Sequence, residues 1–297
     1  MGEKFENPYA DRIVGIPSKE KAEKEAAYSE WFRRLVEGHG GKELDGELEK
    51  TPQEIALINL AQESAAEFMA QYGRKKDIQI PLSHIHILGE GVRRMQRGSE
   101  GVAIPHLASA VIDRDKSGVK FSLVAFHELM HLKAYQAFWV GMQGEGIRRM
   151  GIENHHSGFQ VMIKDEGKWV RQVHFVDFEE AIVGLMTARF WETVLKNSDL
   201  VKDEVEQMER EGTAPEITRQ EELAALNQLI DDLWAKNREA TNAKGELRYK
   251  SRDAIVDLFI DAQMNGRLLG VGKLIERTFG KGSFRSEKYS KETPYLF

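Results

Sequence analysis

The sequence predicts an α+β protein, with a small mixed sheet and a few core helices in the middle of the chain and a mainly helical region after them. Three observations point that way. Apolar residues alternate with period two in short stretches between residues 77 and 175. On both sides of these stretches apolar residues recur at helical spacing, and several of the helical segments open on capping patterns. At 297 residues, 41% hydrophobic and 30% charged, the chain can bury a core and is too apolar for disorder.

Residues 18–37 are highly charged, but Ala26, Ala27, Trp31, Phe32 and Leu35 recur at helical spacing, which predicts a surface helix broken by Gly38-His39-Gly40-Gly41. Thr51-Pro52-Gln53-Glu54 supplies an N-cap, an N1 proline and an N3 glutamate for a second helix running to about Tyr72, with Ile55, Leu57, Ile58, Leu60, Ala61, Ala65, Phe68 and Met69 on its apolar face. Strands are expected over 77–88, from Ile78, Ile80, Ile85 and Ile87, and over 102–112, where Pro105 marks the start as a sheet edge. The polar cluster 113–118 turns the chain into a helix expected over 119–139.

A polar, Gly-rich connection over 141–151 then leads to a hairpin. Phe159, Val161 and Ile163 alternate on one arm, Trp169, Arg171, Val173 and Phe175 on the other, about a turn at 165–168. Asp177-Phe178-Glu179-Glu180 opens another helix, with Ile182, Leu185, Met186, Phe190, Val194 and Leu195 as apolar positions. Beyond Asn197 the pattern is helical: Thr218-Arg219-Gln220-Glu221 reads as a capping box leading to about Ala235, followed by helices over 252–269 and 272–278. The chain divides accordingly into an N-terminal helical extension (1–50), a core (51–196) and a helical C-terminal lobe and tail (197–297).

Composition narrows the function. A net charge of -6 gives no general attraction to nucleic acid. The segment Met1 to Pro8 has no apolar h-region, and no stretch approaches the roughly eighteen uninterrupted apolar residues that a membrane span requires. The expectation is a cytoplasmic protein without a membrane or nucleic-acid partner. With no cysteine in the chain, thiolate metal sites and cysteine nucleophiles are excluded, so any metal is held by His, Asp and Glu.

Inside the helix expected over 119–139 stands Phe126-His127-Glu128-Leu129-Met130-His131. Positions i and i+4 share a helix face, so both imidazoles can reach one metal ion, while Glu128, one step round, lies beside the coordination position left for water. This is the minimum apparatus of a hydrolytic Zn2+ centre with Glu128 as general base. Such a centre takes a third protein donor, and Glu179 and Glu180 stand 48 and 49 residues after His131, at the start of the next helix. Asp177 and Glu180 also have capping-box spacing, which offers Glu180 a purely structural use.

Other candidates are weaker. His155, His156, His174 and Tyr249 are the residues that can stabilise a developing oxyanion, His155 and His156 being favoured by their place before the hairpin. His84 and His86 flank Ile85 on one strand face and read as a solvent-facing edge, with a metal pair as the alternative. The C-terminal set Lys273, Arg277, Lys281, Arg285, Lys288 and Lys291 reads as a solvated face. Phe126, Met130, Phe138 and Trp139 read as core and give no reason for an organic cofactor.

His127-Glu128-Leu129-Met130-His131 followed by Phe178-Glu179-Glu180-Ala181-Ile182 resembles the gluzincin metallopeptidases, and more closely bacterial gluzincin-like proteins. The likeness covers roughly residues 77–196, with a weaker one in Gly266-Arg267-Leu268-Leu269 and in Phe279–Arg285. It implies a zincin-like fold, in which a small mixed sheet with an edge strand packs on backing and active-site helices above a mainly helical lower lobe. It further implies Zn2+ held by His127, His131 and Glu180, with Glu179 as fallback, and a peptide or protein substrate lying along a rim at 103–110, which includes His106. Where related proteins often carry a Tyr-Arg pair, this chain has His155-His156. Four residues after the proposed ligand, where gluzincins often place an acidic residue that orients a histidine, it has Gly184. That departure keeps a second reading open, a catalytically silent zinc-binding regulatory or binding module.

Overall fold

A computed structural model of the chain describes residues 10–14, 21–73, 78–89, 92, 99–143, 149–158, 160–165, 168–217, 219–242 and 244–284. The protein is mixed α and β and mostly helical, with eight α-helices among the described residues. It forms two compact units, residues 1–157 with 187–216, and residues 158–186 with 217–297.

In the first unit, α1 (Lys21–His39) is followed by α2 (Pro52–Gln71), which starts as its sequence dictates. Thr51 Oγ1 accepts from the Glu54 amide at 3.2 Å, and Glu54 accepts from the Thr51 amide at 2.7 Å. The same carboxylate takes Arg114 Nε at 2.7 Å, tying the start of α2 to the turn before the histidine helix. Burial pushes the Glu54 carboxyl up, but Arg114 and the Thr51 bonds outweigh it and leave it below the ordinary carboxylate range.

A three-stranded mixed sheet follows, in the order β2-β4-β3: β2 (Ile85–Leu88) runs parallel to β4 (Ser109–Asp113), and β3 (Gly101–Ile104) runs antiparallel to β4. The strand expected over 102–112 is thus two strands. Pro105–Leu107 form a 3-10 turn and Ala108 takes a left-handed conformation (φ 46), folding β3 back on β4. Of the stretch 77–88 only residues 85–88 are strand, because Leu82–His84 form a 3-10 turn after Pro81.

Helix α3 (Gly118–Lys133) carries the two histidines. It stops six residues before the expected Trp139, and β5 (Gln136–Gln143) takes over. Ala134 is extended, and Gln136 Nε2 donates to the His131 carbonyl at 2.8 Å, capping the helix end. The apolar run Ala137-Phe138-Trp139-Val140 continues the helix without a break in hydrophobicity, so periodicity alone cannot separate the two elements. Strand pairing decides the matter: β5 lies between β1 (Arg12–Val14), parallel to it, and β6 (Arg149–Ser157), antiparallel to it. The connection expected over 141–151 is therefore strand at both ends, and residues 144–148 lie outside the described residues.

Helix α4 (Val176–Thr193) begins in the second unit and ends in the first, where α5 (Lys202–Glu211) follows. The second unit holds the expected hairpin, β7 (Gln160–Asp165) antiparallel to β8 (Lys168–His174). It also holds α6 (Gln220–Asn237), α7 (Arg252–Asn265) and α8 (Leu268–Phe279), which pack on one another and bury Leu229, Leu233, Val256, Phe259, Val271 and Leu274 among other residues. The helix expected to reach 269 is split, since Gly266 at φ 66 ends α7. The capping box expected at 218–221 does not form: Arg219 is the N-cap of α6 and makes no side-chain capping bond, and Thr218 lies outside the described residues.

Candidate metal centre

The two histidines are placed by helix α3 and by what holds it. Ser117 Oγ accepts from the Lys120 amide at 3.1 Å. Glu204, from α5, accepts from the Gly118 amide at 2.8 Å, the Val119 amide at 3.3 Å and the Ser117 hydroxyl at 2.7 Å. A carboxylate on the free amides of a helix start satisfies donors that have no partner within the helix and opposes its dipole. Every α3 residue except Lys120 is buried, and Phe126 stacks on Phe190 of α4 at 4.3 Å between ring centroids. His127 and His131 therefore sit on a helix fixed at its start, its end and its flank.

His127 Nε2 and His131 Nε2 approach to 3.1 Å. The ligand atoms of His127, His131 and Glu180 all lie within 4.8 Å of one another, and this is the metal-binding group found among the described residues. Two donors each bound to one tetrahedral zinc at about 2.0–2.1 Å stand roughly 3.3 Å apart, so the imidazole pair already has the separation a metal needs. The group can hold a metal ion.

Glu180 belongs to this group and Glu179 does not; Glu179 is buried beside it. The capping-box alternative falls away as well. The Glu179 amide donates to the Phe175 carbonyl at 3.1 Å and α4 begins at Val176, so Asp177 lies inside the first turn and is not an N-cap. Phe175 itself has φ 66, a left-handed conformation strained for a bulky residue, and its ring stacks on Phe284 at 4.9 Å. Arg219 Nε stands 3.4 Å from Glu180 Oε2. Asp177 completes the cluster: burial first, then Glu222 and Glu180, raise its carboxyl above the usual range against the opposing pull of Arg219.

No protein-family model matches the chain, and neither a curated protein nor a solved structure does.

Glu128 is buried and lies against the edge strand. A Cβ built on Gly101 of β3 would come within 2.7 Å of Glu128 Cγ and Oε1, so only a residue without a side chain leaves the carboxylate its place. Sequence reading gave Gly101 no role, and the signal that could have found it is a lone glycine opening a strand, which marks close backbone approach. Of the rim expected at 103–110, residues 103–104 lie on the edge strand β3, whereas 109–110 belong to the central strand β4. His106 stands in the turn between them, its pKa lowered by burial.

The remaining candidates fall elsewhere. His155 and His156 are on β6 rather than in a loop, with His156 paired to Ala137 and the register shifting at His155; their side chains lie outside the described part, as does that of His174 on β8. Tyr249 is half-buried between α6 and α7. His84 and His86 are buried, not solvent-facing. His84 Nδ1 bonds the Ala108 carbonyl at 3.2 Å. His86 bonds Glu47 at 2.7 Å and the Gly40 carbonyl at 2.9 Å, fastening the segment after α1 to the sheet, whereas His84 ties the start of β2 to the turn between β3 and β4. Gly184 is on α4, and Lys288 and Lys291 lie outside the described residues along with Arg285.

Proposed function

We propose that the protein is a zinc-dependent metallopeptidase of gluzincin type, with a zincin-like core, in which His127, His131 and Glu180 hold the ion and Glu128 is the general base. The observation that carries this reading is the convergence of three donors around a helix position whose next residue is a buried carboxylate. Two imidazoles and one carboxylate are a donor set suited to catalytic zinc.

Bound there, zinc lowers the pKa of a coordinated water to about 7 and polarises a carbonyl oxygen. Glu128 takes the proton from the attacking water at its carboxylate. As the water oxygen bonds to the carbonyl carbon and the C–N bond breaks, the same carboxyl gives that proton to the leaving amine nitrogen. Among the described residues the edge strand β3 pairs with β4 on one side only, and an extended peptide can add to the other. Because Gly101 lies on Glu128, a peptide held along this strand would place its backbone beside the base.

The test is hydrolysis of a mixed peptide library by the zinc-loaded protein and by Glu128→Gln. The expected result is cleavage by the wild type, abolished by a chelator and reduced on the order of 10²- to 10⁴-fold in the variant, the usual contribution of a general base. Cleavage that survives Glu128→Gln would refute the assignment of the base. No cleavage by any zinc-loaded form would favour a zinc-binding module without activity.

A further inference from the structure

Glu180 is the one donor of the metal group that is not on the histidine helix, and its carboxylate needs a holder of its own. Two independent observations converge on Arg219. The first is contact: Arg219 Nε lies 3.4 Å from Glu180 Oε2 and its Nη1 3.4 Å from Glu222 Oε1, so one guanidinium spans the donor carboxylate and a glutamate on its own helix. The second is backbone. Arg219 has φ 64 and ψ 45 at the N-cap of α6, a left-handed conformation that glycine adopts without strain and asparagine with little. Arginine there makes no capping bond and brings no relief of strain, so what it contributes is the guanidinium. Strained residues of this kind cluster where the surrounding structure needs the side chain in one place.

We propose that Arg219 is the positioning residue of the metal centre: its guanidinium fixes the attitude of the Glu180 carboxylate, so that this donor is oriented before the cation arrives. The proposal rests on the reading of His127, His131 and Glu180 as metal ligands. Two effects oppose each other at Arg219. Its positive charge repels a divalent cation, and its planar fork orients the carboxylate. The Arg219 side chain is 41% exposed, so solvent and salt screen the repulsion, while orientation of a half-buried carboxylate is not screened. Orientation therefore outweighs repulsion, and removing Arg219 weakens metal binding. Partners that orient metal ligands are worth about 10- to 100-fold in affinity; an exposed arginine at this distance belongs at the lower end, roughly tenfold.

The experiment compares full-length wild type, Arg219→Gly, Arg219→Lys and Glu180→Gln for Zn2+ affinity by competition with a chromophoric chelator. It also records the visible absorption of the Co2+ forms and the thermal unfolding of the metal-free proteins. Glycine is the informative replacement because it removes the guanidinium and the backbone strain together. The expected result is that Arg219→Gly binds Zn2+ roughly tenfold more weakly. Its Co2+ spectrum moves toward that of Glu180→Gln, and its metal-free unfolding temperature stays near the wild type's. Arg219→Lys, which keeps the charge without the fork, regains part of the affinity. Wild-type or tighter Zn2+ binding by Arg219→Gly would overturn the proposal. So would an affinity loss with an unshifted Co2+ spectrum and a matching fall in unfolding temperature, since Arg219 would then serve the fold alone. A wild type that binds no metal would instead remove the ligand assignment itself.

Discussion

Helix α3 and the N-terminal part of helix α4 supply metal donors in opposite ways. On α3 the two histidines are neighbours by helix geometry alone, and the helix is held by Ser117 and Glu204 at its start and by Gln136 at its end. On α4 the donor is one partly buried carboxylate, on a helix opened by a strained Phe175 and attended by a strained Arg219. A pair of donors four residues apart costs the fold little beyond a stable helix. A third donor from a distant part of the chain must be oriented by tertiary contacts, and two of the three non-glycine residues with left-handed backbone among the described residues, Phe175 and Arg219, stand beside it, the third being Ala108 in the turn between β3 and β4.

The difference can be sharpened by variants that disturb one side only. After Glu128→Gln, the largest effect is expected from Gly101→Ala. The added methyl meets Glu128 Cγ and Oε1 at 2.7 Å and Val124 Cγ1 at 2.8 Å, so the carboxylate is displaced and the buried valine must shift with it. A misplacement of about an ångström costs on the order of 10²-fold in turnover. Zinc affinity should be unchanged, since no ligand is touched; peptide hydrolysis measured beside chelator competition separates the two, and full turnover in Gly101→Ala would show that the carboxylate does not need the space.

Next in size is Glu204→Ala, which strips the start of α3 of its capping carboxylate. A lost N-cap with its charge-dipole term costs about 1–2 kcal/mol, read by urea unfolding of the metal-free protein. The histidine pair should keep its geometry in the folded molecules, so metal affinity at low denaturant changes little. A fall in affinity without a fall in stability would mean that α3 is less rigidly placed than its packing indicates.

The smallest effect lies in the second unit and has the opposite sign. Gln263 of α7 is fully buried against Gly158, and neither its amide oxygen nor its amide nitrogen has a hydrogen-bond partner among the described residues. Leaving such groups unsatisfied costs about 1–3 kcal/mol, part of which an apolar side chain of similar length recovers. Gln263→Met is expected to raise the urea midpoint slightly; a clear loss of stability would show that the amide is used.

Much of this was legible in the sequence where local rules decide. The i, i+4 histidines, the Thr51 capping box and the hairpin about 165–168 follow from spacing, and each is found where spacing puts it. The end of α3 was not legible, because the apolar run through Val140 carries no change of period, and only pairing with β1 and β6 makes it a strand. His84 and His86 look like a solvated edge from their alternation, yet Glu47 and Gly40, far away in sequence, bury them. Arg219 carries no local mark of its use and Gly101 only that of a lone glycine opening a strand: each matters through a residue that only folding brings near it.

The central claim is that His127, His131 and Glu180 form one metal site, and the most direct measurement is the metal content of the purified protein after zinc loading and removal of free ion. The account predicts one zinc per chain in the wild type, none retained by His127→Ala, and weakened retention by Glu180→Ala with Glu179→Ala close to wild type. A wild type without stoichiometric zinc, or a Glu180→Ala variant that holds zinc as tightly as the wild type, would contradict it.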